Sequence, residues 1–239
     1  MITHILFDID DTLMDYYTAE MNVTRGLFAE NGVECTQEML DDSWKMSWFY
    51  WDKENLSNTD LPEVQRDYHT RYHRGVLAHC AELAQKHGFK MNGEETYQRF
   101  NALFAQQITL YDGALDVMDA LKNKGYVLCA ATNGLESIQS QRVAALDGRI
   151  THLFCSEALG CVKPTKQFFD EVLRVTGAKP EQCMMVGDSM TADILGAASA
   201  GMHTVWFNRA GKKRKDGVRI DHEIGSLSQL LDIVEGYNA

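Results

Sequence analysis

From Asp112-Gly113 to its end, the sequence alternates short apolar runs with amphipathic stretches, and the alternation repeats several times. Helical spacing over Ala114–Lys124 stops at Gly125, and the strand-like run Tyr126–Ala131 follows. The pattern continues with a helix over about Leu135–Ala145, strand His152–Cys155, a helix after Thr165 and strand Cys183–Val186. A helix over about Ala192–Ala200, strand His203–Phe207 and a last helix from Ser226 complete it. Alternation of this kind predicts a parallel sheet with helices on both faces. One more apolar run, Ile2–Asp8, stands far away at the start of the chain. A lone strand is not stable in water, so this run must join the same sheet.

Everything between those two regions is then an insertion. About Asp15 to Ile108 offers no strand candidate and reads as helices. Tyr17, Met21, Thr24 and Phe28 recur at helical spacing up to the stop signal Asn31-Gly32. A second helix after Thr36 carries Trp44, Trp48 and Trp51 on one face, which predicts that they fill the bundle core. Asp60 with Glu63, and Asn92 with Glu95, have capping-box spacing and predict the starts of a third and a fourth helix. The expected fold is therefore α/β: a Rossmann-like parallel sheet with helices on both faces, formed by residues 1–14 and 109–239, plus an inserted α-helical bundle over 15–108.

Composition narrows the function classes. The 239 residues carry 23 Lys plus Arg against 34 Asp plus Glu, a net charge of −11, which argues against a nucleic-acid polymer as partner. Lys212-Lys213-Arg214-Lys215 is a basic loop, expected to be solvated. No uncharged apolar run approaches the ~18 residues of a membrane span, and Met1–Phe7 meets Asp8 too soon for a secretory leader. Six cysteines without a CxxC pair, several inside apolar runs, read as reduced core residues of a cytoplasmic protein. Oligomeric state leaves no trace in the sequence.

In parallel sheets of this kind the site lies beyond the carboxyl ends of the strands. The first strand delivers Asp8-Ile9-Asp10-Asp11-Thr12 there, and the second Thr132-Asn133-Gly134. Lys163-Pro164 follows the third, and Gly187-Asp188-Ser189 with Asp193 follows the fourth. Crowded carboxylates repel by about 4 kcal/mol per pair at an effective dielectric near 20. A divalent cation relieves that, and an all-oxygen, partly hydrated site suits Mg²⁺. A lysine and a hydroxyl suit phosphoryl oxygens instead. Backbone N–H groups after Thr132 add donors, so Asn133 is counted with Thr132 and Lys163 as substrate-binding. One carboxylate is left as nucleophile and a second, two residues on, as general acid and base. His69 and His73 have the spacing of a zinc pair but no third ligand, so they read as a helix face.

These four segments, in this order, resemble the motifs of the haloacid dehalogenase-like superfamily: Asp8-Ile-Asp10-Asp-Thr12, Thr132-Asn-Gly, Lys163-Pro, and Gly187-Asp188-Ser-Met-Thr-Ala-Asp193. The resemblance implies that Asp8 becomes phosphorylated, that Asp10 is the acid/base and offers its carbonyl to Mg²⁺, and that Thr132 and Lys163 hold the phosphoryl group. It also implies that Asp8 and Asp188 ligate the metal, with Asp193 either ligating it or supporting its surroundings. The helical insertion matches the family's cap. Phe7-Asp8-Ile-Asp-Asp-Thr-Leu and Trp206-Phe-Asn208 look like the bacterial pyrimidine nucleotidase-like subgroup, which implies a nucleoside 5′-monophosphate. In that reading Phe49 or Tyr50 of the cap stacks on the base. An acid at Asp10 favours phosphate esters over alkyl halides, whose departure needs no proton. The expected activity is Mg²⁺-dependent hydrolysis of a small phosphorylated metabolite; a phosphomutase, and then a haloacid dehalogenase, are the alternatives.

Overall fold

The computed structural model describes residues 1–238 and divides into two compact units. The first joins Met1–Asp15 to the chain from Leu110 onward, and the second is Tyr16–Thr109.

The first unit is built on six parallel strands: β1 His4–Phe7, β2 Val127–Thr132, β3 His152–Cys155, β4 Cys183–Gly187, β5 His203–Phe207 and β6 His222–Ile224. Their spatial order is β3-β2-β1-β4-β5-β6. The expected Rossmann-like fold is thus borne out, with the first strand at the centre. Leu6, Met184, Met185 and Val186 are wholly buried, as a doubly covered sheet requires. The short edge strand β6 escapes sequence reasoning because His-Glu-Ile carries no apolar run. Strand order reverses between β1 and β4, and in sheets of this kind ligands bind at such a switch point, beyond the carboxyl ends of the strands. Asp8 and Asp188 each follow directly after one of these two strands.

The second unit holds four helices: α1 Tyr16–Glu30, α2 Gln37–Lys53, α3 Pro62–His87 and α4 Gly93–Phe104. α2 follows Thr36 as expected, with the Thr36 side chain as its cap, and Asn92 and Glu95 form their capping box with bonds of 3.0 and 2.8 Å. The cap expected at Asp60 is displaced. Pro62 takes the first helical position and holds Leu61 extended, so α3 starts from Leu61 without a side-chain cap. The tryptophan face is also corrected: Leu40, Ser43 and Met46 are the buried residues of α2, while Trp48 is half exposed. Trp44, Trp48 and Trp51 stack edge-to-face instead, and Trp44 meets Tyr16 and Tyr17. His73 forms a hydrogen bond with the Tyr97 hydroxyl at 2.9 Å.

The remaining helices belong to the first unit: α5 Ala114–Asn123, α6 Glu136–Ala144, α7 Ser156–Leu159, α8 Lys166–Thr176, α9 Gly196–Ser199 and α10 Leu230–Asn238. A π-helical turn, Met190–Leu195, precedes α9. Among the described residues no helix is long and apolar enough to cross a membrane. All six cysteines are free thiols, five of them buried.

The helical unit contains a wholly buried Glu20, whose carboxyl burial pushes up to about 7 against the pull of the Ser47 and Tyr16 hydroxyls. A carboxyl raised in the folded state binds its proton more tightly there than when unfolded. Its stability contribution is therefore lost as pH rises from its ordinary value of 4.5 towards 7. Glu20→Gln should melt progressively higher than the parent as the pH of a thermal unfolding series rises from 5 to 8. A constant difference across the series would contradict this.

Candidate active site

The site grows out of the turn that ends β1. Asp8 donates its N–H to Val186 O on β4 at 2.9 Å, which holds the two carboxyl ends side by side. The chain then folds back sharply. Leu13 and Met14 both donate to Ile9 O, Asp11 donates to Met14 O, and Asp11 takes a left-handed φ of 58°. Asp tolerates that region better than most residues. The turn brings Thr12 back under β4, where its hydroxyl accepts the Asp188 N–H at 3.1 Å.

Lys163 enters from the loop after α7, across a cis Lys163–Pro164 bond. Its ammonium is almost wholly buried and donates to three oxygens: Asp8 Oδ1 at 2.7 Å, Asp193 Oδ1 at 2.6 Å and the Ala131 carbonyl at 2.6 Å. Burial works against this charge, but Asp193 and Asp8 more than offset it and hold the lysine above its ordinary range. Asn133 fixes the segment from the side. Its amide nitrogen donates to Lys163 O at 2.8 Å, and its amide oxygen accepts Lys163 N–H at 2.7 Å. Both ends of the Asn133 side chain are thus spent on the lysine segment. Thr132, at the end of β2, is buried beside them.

Asp193 is wholly buried, and its second oxygen accepts Ser189 N–H at 3.0 Å. It packs so tightly on Gly187 that a Cβ there would collide with its carboxylate. Asp8, Asp188 and Asp193 each bring one oxygen to a cluster within 4.8 Å. These hard oxygen donors, crowded and largely buried, fit a divalent cation of the Mg²⁺ type. Burial drives the Asp8 carboxyl well above its ordinary range against Lys163, with Asp193 and Asp188 adding to the rise. Asp188 is pushed up to about 7 by burial, opposed by Lys212 and reinforced by Asp193 and Asp11.

Two sets of contacts were not legible in the sequence. Lys212, expected to be solvated, reaches Asp188 Oδ2 at 3.0 Å, because Asn208 pins its backbone from both sides. Asp10 does not join the carboxylate cluster. Its oxygens accept from Arg142 Nη1 at 2.6 Å and Gln139 Nε2 at 2.8 Å, both on α6. The available signal was a polar pair three residues apart on the face of α6 that also carries the buried Ile138.

The model of the haloacid dehalogenase-like hydrolases matches residues 2–201. A pyrimidine 5′-nucleotidase of Streptococcus pneumoniae, PynA, is 32% identical over 234 residues, covering 97% of this chain and 94% of its own. A glyceraldehyde 3-phosphate phosphatase of Pyrococcus furiosus is 28% identical, with 98% of this chain and 93% of its own covered. The magnesium-bound structure of YfnB from Bacillus subtilis superposes with a TM-score of 0.81 at 27% identity, covering 98% of each chain.

Without a metal, Asp188 resists ionising between its ordinary 3.8 and about 7, so folding stability falls as pH rises through that window. A cation on the ionised cluster offsets this loss. The gain in melting temperature on replacing EDTA with Mg²⁺ should therefore be larger at pH 8 than at pH 5.5. No gain at either pH would contradict the cluster as a metal site, and an equal gain at both would contradict the raised Asp188 carboxyl.

Proposed function

Since this chain belongs to the haloacid dehalogenase-like hydrolases, we propose that it is a Mg²⁺-dependent phosphatase hydrolysing a small phosphomonoester by way of a phosphorylated Asp8. The observation that carries this reading is the placement of Asp8 at the sheet's switch point. There it touches Lys163 and shares a carboxylate cluster with Asp188 and Asp193, while Asp10 stands apart with its own partners.

In the first step a carboxylate oxygen of Asp8 bonds to phosphorus, and the ester P–O bond breaks. Asp10 passes its proton to the departing oxygen. In the second step Asp10 takes a proton from water as that water bonds to phosphorus, and the Asp8–phosphorus bond breaks. Lys163 keeps Asp8 oriented and offsets negative charge as the phosphoryl group arrives. Thr132 and the backbone N–H of Asn133 receive the phosphoryl oxygens. Asp8, Asp188 and the Asp10 carbonyl would hold Mg²⁺, with Asp193 a ligand or the anchor of Lys163. Bound Mg²⁺ supplies the positive charge that lets an anionic ester approach an anionic nucleophile.

For the substrate we infer a nucleoside 5′-monophosphate, on the strength of the full-length similarity to PynA. A triose phosphate is the second reading, since the Pyrococcus relative is aligned over almost as much of its length. The acid at Asp10 speaks against an alkyl halide. The net charge of −11 speaks against a nucleic-acid polymer, and the six free thiols accord with a cytoplasmic setting.

Purified protein assayed with Mg²⁺ against uridine, cytidine, thymidine, adenosine and guanosine monophosphates and glyceraldehyde 3-phosphate should release phosphate, most of it from a pyrimidine nucleotide. EDTA should stop the release, and Asp8→Asn should lower it at least about 10³-fold. Retained turnover in Asp8→Asn would remove Asp8 from the mechanism. Halide release from a 2-haloacid without phosphate release would replace the reaction class.

A further inference from the structure

Two carboxylates two residues apart are given opposite neighbours here. Asp8 lies against Lys163, whereas both oxygens of Asp10 are taken by α6. Arg142 donates from Nη1 to Asp10 Oδ1 at 2.6 Å, and Gln139 donates from Nε2 to Asp10 Oδ2 at 2.8 Å. The pair is itself linked, since Arg142 Nη1 also donates to Gln139 Oε1 at 3.2 Å. The Arg142 side chain is 0% exposed and Gln139 is 2% exposed, while the Asp10 side chain is 28% exposed. The carboxylate therefore faces outward on one side and a rigid, buried donor pair on the other.

We propose that Arg142 and Gln139 are positioning residues for the acid/base Asp10, fixing the plane of its carboxylate through both half-reactions. The inference rests on the role given to Asp10 in the preceding subsection. Three features of the chain serve this arrangement. Gln139 and Arg142 are three apart on one helix, so their side chains leave the same face. Gly134, two residues before α6, leaves room for them: a Cβ there would lie 2.6 Å from Gln139 Nε2. The bond lengths and the burial of Arg142 give its planar guanidinium little freedom to swing, which a flexible exposed lysine would keep. A carboxylate on a sharp turn would otherwise rotate about its side-chain torsions. Acid/base transfer needs its oxygen within hydrogen-bond reach of the leaving oxygen and then of water.

The test compares Arg142→Met, Arg142→Lys, Gln139→Leu and Asp10→Asn in full-length protein with Mg²⁺, using p-nitrophenyl phosphate and uridine 5′-monophosphate. Nitrophenolate leaves without a proton, so forming the phosphoenzyme from the aryl ester does not need Asp10; forming it from the nucleotide needs Asp10 as acid, and hydrolysing it needs Asp10 as base. Arg142→Met should keep a rapid burst of nitrophenolate close to the parent rate. Its steady-state kcat should fall about 10- to 100-fold on both substrates. With the aryl ester KM should fall alongside, leaving kcat/KM near the parent value as acid-quenched phosphoenzyme accumulates, whereas with the nucleotide, where both steps slow, KM should change little. Arg142→Lys should recover part of the loss, and Gln139→Leu should show a milder form of it. Equal loss of the burst and of turnover, or a Met variant as active as the Lys variant, would mean that Arg142 only fills space and would overturn the inference. Parent-like turnover in Arg142→Met alongside an inactive Asp10→Asn would also overturn it, leaving the role of Asp10 intact. Parent-like turnover in Asp10→Asn would overturn the role of Asp10 and this inference with it.

Discussion

The buried ammonium of Lys163 is the interaction on which the α/β unit is organised. It is held between Asp8 and Asp193 and against the Ala131 carbonyl, so three separate segments converge on one nitrogen. Burying such a group is costly unless every proton finds an acceptor, and here all three do. Much of the surrounding sequence follows from that requirement. Asn133 spends its whole amide on the lysine segment, Gly187 yields its side-chain space to Asp193, and Ser189 ties off the second Asp193 oxygen. The sheet order supplies the rest: only a strand at the switch point lies next to both β2 and β4.

Against that centre, the two acids of the first motif divide into different environments. Asp8 sits in a carboxylate cluster that burial makes reluctant to ionise and that a divalent cation would neutralise. Asp10 is turned away and fastened to the arginine and glutamine of α6. A point charge suits a group that must bond to phosphorus, because it neutralises without imposing a plane. A planar donor pair suits a group that must transfer a proton along a fixed line. Separate surroundings for adjacent carboxylates are how one turn is able to carry both a nucleophile and an acid/base.

The parts legible in the sequence were those written in spacing. Alternation after Asp112 gave the parallel sheet, the isolated run Ile2–Asp8 its central strand, and Asn92 with Glu95 a helix start. The order of acids, Thr132 and Lys163 pointed to the carboxyl edge, where the structure brings Asp8, Lys163, Asp188 and Asp193 together and leaves Asp10 apart. Features decided by tertiary packing were not legible. Periodicity treats Trp44, Trp48 and Trp51 as core, but large rings stack along the side of α2 and leave the centre to Leu40, Ser43 and Met46. Arg142 falls within the helix expected over Leu135–Ala145, and nothing near it in the chain announces its partner Asp10, 132 positions earlier. Lys212 reads as solvated until Asn208 is seen to aim it at Asp188. A single sequence records which residues a helix has, and only the fold records what stands opposite them.

The claim that joins these features is that Asp8 carries the phosphoryl group between substrate and water. Protein quenched in acid during turnover of p-nitrophenyl phosphate, then reduced with borohydride, would convert an acyl phosphate into the corresponding alcohol at the modified residue. Peptide mass spectrometry should find that conversion at Asp8 alone and should find none in protein quenched without substrate. Active turnover with the mark on another carboxylate, or with no mark under conditions where the burst of nitrophenolate shows a phosphoenzyme, would contradict the account.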